Sequence, residues 1–285
     1  MNAELNHIIS FLTPWEFSLT VLLTCSVTVA VYVGGLWRMR RAGEAVNPWR
    51  AAAFLLGLVG IYLFLQSYLD YLSQHMFWVH RLQHLVLHHA GPFLIALSAP
   101  GAILARGAPA WMKAGLRAIW AIPGVRLLYR IVQHPLVASL LFVGLIAFWL
   151  LPEVHFQAML SEPRYKAMNW SMVIDGLLFW WLILAPGGEP YTPGYGTRLL
   201  MLWGVMLPQI AIGAYIGLSN HVLYDVYSVC GRAWPIAPMT DQELGGLITW
   251  IPASMMSVLG ALVLLRRILL SRPSHRRTAA LEINE

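Results

Sequence analysis

Seven stretches of 17 to 23 residues run through this chain with at most one Asp, Glu, Lys or Arg in each: Phe17 to Trp37, Ala51 to Leu72, Phe77 to Ala99, Pro135 to Leu151, Trp170 to Pro186, Leu199 to Ser219 and Leu244 to Leu265. A helix needs roughly 20 apolar residues to cross the hydrocarbon core of a bilayer, and the lipid interior admits only backbones that satisfy their own hydrogen bonds. Of the 285 residues, 58% are hydrophobic and 11% charged, and the mean hydropathy is +0.62, far from the balance of a soluble domain. These features predict an all-α polytopic membrane protein: one seven-helix domain over residues 17–265. The fourth and fifth spans are the shortest, so their ends are the least fixed.

The positive charges divide between the two faces that these spans define. One face holds Arg38, Arg40, Arg41, Arg50, Arg106, Lys113, Arg117, Arg126, Arg130, Arg198, Arg266, Arg267, Arg272, Arg276 and Arg277, fifteen of the 19 Lys and Arg. The positive-inside rule makes that face cytoplasmic, which places the N-terminus outside and residues 266–285 inside as a basic tail. The net charge of +6 then follows from topology and from contact with anionic membrane lipid, with no nucleic-acid partner required. The longest inner connection, residues 100–133, alternates Trp111, Leu116, Ile119 and Trp120 with Lys113 and Arg117, a pattern suited to a helix lying in the headgroup layer. Glu4 and Glu16 precede the first span without a basic leader, so that span reads as retained rather than cleaved. Cys25 within the first span and Cys230 in the last outer loop sit at different depths, which argues against a disulfide. Gly187-Gly188 and Gly194 to Gly196 read as turn residues of an inner loop.

Chemistry concentrates in the third span. Five of the ten histidines fall between residues 75 and 89. At 3.6 residues per turn, His80, His84 and His88 share one helix face with Gln83, whereas His75 and His89 lie about half a turn from His84 and His80. Measured from Gln74, the helical rise puts the three facing histidines at roughly 9, 15 and 21 Å of depth. An imidazole inside a bilayer is a functional candidate by default, and it is a common ligand of copper, zinc and iron. Pro92 cannot donate to the carbonyl of His88, which predicts a kink just below this ladder.

Other spans supply donors at compatible depth. Met168 and Met172 stand four residues apart at the start of the fifth span, and thioethers favour Cu(I). Asp175, a carboxylate inside hydrocarbon, needs a proton, a cation or strong hydrogen bonds, and is expected to face His84 or His88. His155 and His221 lie at the outer ends of the fourth and sixth spans, placed to complete a metal site from above. Outer segments also hold Asp70, Glu153, Glu162, Asp225, Asp241 and Glu243. Three readings follow: a copper-handling protein with these residues as ligands, a b-type haem carrier pairing His84 or His88 with His221, and a copper or proton transporter. The nearly unbroken apolarity of the inner halves argues against transport. No Gly-x-Ser-x-Gly, His-Glu-x-x-His or phosphate-cradling loop is present to support a hydrolase.

Several segments together resemble a known family. They are His80-Arg-Leu-Gln83-His84 followed by Gly91-Pro92 and Ala99-Pro100, His134-Pro135 opening the fourth span, Leu178-Phe-Trp180-Trp181 in the fifth, and Asp241-Gln-Glu-Leu-Gly245-Gly246-Leu-Ile-Thr-Trp250-Ile-Pro252 opening the seventh. This pattern resembles the CtaG-type cytochrome c oxidase assembly factors of the caa3 class. The resemblance implies a non-enzymatic, multi-pass protein of the bacterial plasma membrane that supplies copper, as Cu(I), to a haem-copper oxidase. Its expected partners are oxidase subunits and periplasmic copper chaperones, and the family's ligands carry over onto His80 and His84. Two positions depart from the family pattern. Leu150-Leu151-Pro152 and Met168-Asn169-Trp170 stand where the family commonly has histidines, and His155, Met168 and Asp175 are the groups available to replace them.

Overall fold

All regular structure among the described residues is helical. The helices in chain order are α1 (Leu19–Arg41), α2 (Pro48–Gln66), α3 (Tyr68–His75), α4 (Phe77–Ser98), α5 (Gly101–Gly107), α6 (Ala110–Ala121), α7 (Pro123–Val132), α8 (Pro135–Trp149), α9 (Pro152–Met159), α10 (Glu162–Leu184), α11 (Tyr195–Gly217), α12 (Val226–Val229) and α13 (Pro238–Glu282). The computed structural model describes residues 13, 16–186 and 191–282, with side chains as far as Leu270. Glu4, Gly187, Gly188 and the side chains of Arg272, Arg276 and Arg277 lie outside the described residues.

Five helices are long and apolar enough to span a membrane: α1, α2, α10, α11 and α13 over Pro238–Leu270. Two bent pairs, α4 with α5 at 75° and α7 with α8 at 73°, raise the number to seven if each counts as one broken span. The arginines gather at one end of the bundle. There Arg38 donates to the carbonyl of Arg106 at 2.6 Å, and Arg267 donates to that of Leu184 at 2.7 Å. Around Trp180 the core of this end packs Phe93, Phe142, Phe179, Leu182 and Leu202, all apolar.

Several boundaries differ from the sequence expectation for local reasons. The second span closes at Gln66 rather than Leu72 because Ser67 takes an extended conformation and caps a new helix, its hydroxyl accepting from the Leu69 amide at 3.2 Å. Asp70 therefore rides on a separate short helix. The fifth span starts at Glu162, eight residues before Trp170, with Pro163 in its first turn; its charged first turns had hidden it. The inner connection folds into α5, α6 and α7, and α6 leaves Trp111, Leu116, Ile119 and Trp120 exposed, as a headgroup-layer helix requires. Cys25 is buried, Cys230 exposed, and both are free.

The kink predicted at Pro92 is replaced by a π-helical turn over Leu85–Ala90, in which the Gly91 amide reaches back to the Val86 carbonyl. A π turn places one extra residue in the winding, so the carbonyl that Pro92 cannot serve is displaced outward while the helix continues to Ser98. That carbonyl, on His88, packs against Gly176 of α10 so closely that a β-carbon there would fall 2.5 Å from the oxygen. The sharp bend comes instead at Ala99, which closes α4 in the left-handed region at φ 49°.

Candidate functional site: a buried imidazole cluster

The start of α13 fixes the start of α4. Asp241, fully buried, accepts the backbone amides of Phe77 at 3.2 Å and Trp78 at 3.0 Å and pairs with Arg232 at 3.2 Å. These amides lack partners within their own helix, so a carboxylate at this position is a strong cap. The absence of a side chain at Gly245 admits the Phe77 ring, since a β-carbon there would lie 2.3 Å from it. One turn on, Thr249 accepts from Arg81 Nε at 2.9 Å. The motif that opens the seventh span is thus the clamp of the histidine helix. Asp241, read from the sequence as an outer-loop acid, is instead an interior cap.

Clamped in this way, α4 presents His80, His84 and Arg81 to buried side chains of α9, α10 and α12, among them His155, Asn169 and Tyr227, and this packed cluster forms the histidine chamber. His84 uses both ring nitrogens: Arg81 donates to Nδ1 at 3.2 Å, and Nε2 donates to the Asn169 Oδ1 at 3.3 Å. Because guanidinium only donates, this tautomer is set by its partners. His155 is likewise complete, with Nδ1 donating to the Trp149 carbonyl at 3.1 Å and Nε2 accepting from the Tyr227 hydroxyl at 2.9 Å. Burial pushes its pKa down to about 3, so the ring is neutral at any physiological pH.

His80 differs. It is fully buried, yet neither ring nitrogen reaches hydrogen-bonding geometry with any group; the Ser73 backbone is near but does not complete a bond. Its ring centroid lies 4.3 Å from His84, 5.0 Å from His155, 6.2 Å from Tyr165 and 6.5 Å from Tyr227. An unsatisfied buried polar group costs about 1–3 kcal/mol, and buried polar atoms of this kind call for an explanation. His80 is the group of this chamber with lone-pair capacity to spare.

The ladder does not continue as one row. His88 turns to Asp175, Nε2 to Oδ2 at 2.9 Å, and stacks on Phe142 at 4.0 Å. His89, set aside by helical arithmetic, bonds Gln209 of α11 at 3.1 Å. The π turn explains this, because it advances fewer degrees per residue than an α-helix and swings His89 back toward the bundle interior. These four side chains form a second polar layer, deeper than the His80 chamber and floored by the apolar core around Trp180.

The remaining candidates separate. Met172 is buried against Phe77 and Tyr227 and lines, with His84 and His89, a small void beside the chamber. Met168 is buried against Ala158 and Tyr165. His75 bonds the carbonyl of Tyr71 at 2.8 Å. His221 stands exposed beyond α11 with Ser219 at 3.3 Å, away from the face that a partner of His84 or His88 would occupy. Among the described residues, no three His, Cys, Asp or Glu side chains converge closely enough to hold an ion by themselves.

Sequence reasoning missed the polar frame around the histidines. Asp70 accepts from Tyr165 at 2.7 Å, Gln83 at 2.9 Å and Gln74 at 3.1 Å. Burial nevertheless raises its pKa to about 6. Tyr165 and Asn169 stand four residues apart on one face of α10, a spacing visible in the sequence, but nothing local reveals which helix that face meets.

Fold and site together define a multi-pass helical membrane protein whose buried chemistry is a cluster of imidazoles at the arginine-poor end of the bundle. The chain belongs to the cytochrome c oxidase caa3 assembly factor family (Caa3_CtaG), whose profile matches residues 30–271. It is also similar to uncharacterized mycobacterial proteins. It is 24% identical to one from Mycobacterium leprae over 248 residues, covering 86% of this chain and 38% of the relative. It is 25% identical over 250 residues to one from Mycobacterium bovis and one from Mycobacterium tuberculosis, covering 84% of this chain and 37% of each. The chain thus spans less than two fifths of the length of these relatives. No solved structure matches it.

Proposed function

We propose that this chain serves the assembly of a haem-copper oxidase in a bacterial plasma membrane by holding Cu(I) in transit at His80. The observation that carries the reading is the buried, doubly unpartnered imidazole of His80 beside His84. Copper is cargo here, so the site has to release it. Neutral imidazole binds Cu(I) readily, and a small ligand set holds it less tightly than a closed four-ligand cage. His80 offers the first lone pair, and His84 joins when it gives up Asn169 or Arg81. The thioether of Met172, which lines the void next to His84, is a soft donor placed to join them. The Arg81 guanidinium next to the site adds positive charge, which favours a monovalent ion over a divalent one.

In the orientation expected from the positive-inside rule, the cluster faces the periplasm, where an apo-oxidase subunit or a copper chaperone meets it. Competition of the purified protein against a chromophoric Cu(I) chelator tests the reading. Wild type retains one equivalent of copper and His80→Ala retains none, with no Soret band in the visible spectrum of either. Undiminished copper in His80→Ala overturns it.

A further inference from the structure

At the arginine-poor end, a polar cleft of about 310 Å³ opens between the start of α1, the end of α2 and the first turns of α10. Glu16, Asp70 and Glu162 line it with Lys166, which pairs with Glu162, so three carboxylates face one ammonium. Two further lining residues, Tyr165 and Asn169, also belong to the wall of the histidine chamber. Asn169 Oδ1 receives His84 Nε2 at 3.3 Å, and the Tyr165 ring lies 6.2 Å from that of His80. The partition between cleft and chamber at this point is one side chain thick.

We infer that this cleft is the route by which the cation reaches His80, with Asp70, Tyr165 and Asn169 as its inner gate. The inference rests on the copper reading above and adds to it a path and the residues that form it. A cleft with an excess of one sign of charge, here three carboxylates to one ammonium, concentrates the opposite sign and raises its rate of arrival. Carboxylates are hard oxygen donors that bind the soft Cu(I) weakly, so they attract it without retaining it. At the floor, Asp70 holds Tyr165 at 2.7 Å and Gln83 at 2.9 Å. A cation arriving at that carboxylate competes for the oxygen that orients Tyr165, and rotation of Asn169 off His84 frees the Nε2 side of the imidazole. The path therefore ends on the two imidazoles, and no ion has to cross the apolar core beneath them.

Stopped-flow uptake of Cu(I) by the full chain in lipid nanodiscs tests the route. Glu16→Gln combined with Glu162→Gln alters exposed side chains only; it slows uptake about tenfold at low ionic strength, the lower end of electrostatic steering. The difference closes at high salt, where such fields are screened, and the final copper content is unchanged. Asp70→Asn slows uptake further. If Asp70→Asn does not fold, the exposed double variant decides alone. Wild-type copper binding with uptake rates and salt dependence identical in the exposed double variant overturns the route while leaving the copper reading in place. A wild-type chain that takes up no Cu(I) overturns both.

Discussion

Replacing Gly176 by alanine isolates the contact that seats the histidine helix against α10. A β-carbon at this position lies 2.5 Å from the His88 carbonyl oxygen and 3.0 Å from both the carbonyl carbon and Cα of His88. Close C···O contacts settle near 3.3–3.6 Å, and these partners are backbone, so the two helices must part by roughly 1 Å. The neighbouring His88 to Asp175 bond, 2.9 Å in the native protein, then opens to about 3.9 Å, beyond hydrogen-bonding range. Overpacking costs about 1–3 kcal/mol, and the stranded polar pair adds to it, against a helix-propensity gain of about 0.5–1 kcal/mol for replacing glycine. The net loss is about 2 kcal/mol, or a fall in Tm of about 4–8 °C for a chain of this size. The assay is thermal unfolding in mild detergent in a Cys230→Ser background, followed with a thiol-reactive dye that reports exposure of the buried Cys25. Gly144→Ala is the matched control, because nothing lies within 4 Å of its added β-carbon; it melts at or slightly above wild type. A Gly176→Ala protein that melts with the Gly144→Ala control refutes the argument that α10 and the π turn are in backbone contact.

Asp241→Ala removes the acceptor of two helix-end amides and leaves Arg232 without its carboxylate, so it lowers stability by about 2 kcal/mol or more and weakens Cu(I) affinity; a melting curve and a chelator competition read the two effects. Tyr227→Phe strands Nε2 of His155 and costs about 1–3 kcal/mol, read in the same melt, with Cu(I) stoichiometry preserved. Asp70, with its pKa raised from 3.8 to about 6, binds its proton more tightly in the fold than in the unfolded chain. Its contribution is therefore complete below pH ~4 and lost as pH rises through about 6, worth roughly 3 kcal/mol across that window. Melts of wild type and Asp70→Asn between pH 4 and 7 show the variant gaining on wild type as pH increases; parallel curves would rule this out.

The apolar runs were legible because lipid imposes a length and forbids charge, and the facing of His80 and His84 follows from helical spacing alone. Where the sequence misled, a nonlocal or subtle local cause is identifiable. Ser67 divides an apolar run through one hydroxyl cap that looks like any serine. Arg164 and Lys166 made the first turns of α10 read as loop, although Tyr165, Met168 and Asn169 on the same turns face inward. His89 was assigned to the wrong side because the count of 100° per residue fails across a π turn. Asp70 and Asp241 looked like solvated loop acids, since their burial depends on partners 13 and 164 residues away, Gln83 and Phe77. The pairing of Asp175 with His88 was expected from the cost of a bare carboxylate, but the depth of neither residue explains why His80 is left unpaired.

The turn over Leu85–Ala90 amounts to a one-residue supplement in an otherwise regular helix. Its presence means that the two halves of α4 are indexed independently: the N-terminal half to the Asp241 clamp, the C-terminal half to α10 and the glycine at 176. Shortening the segment by one residue would let it close into ordinary α winding with both halves held in place, but the residues inside it would turn to new faces, and His88 and His89 would no longer both reach their partners Asp175 and Gln209. Residue count in this stretch is consequently under tighter geometric constraint than residue identity, and a substitution that preserves bulk is easier to absorb there than the removal of a single peptide unit.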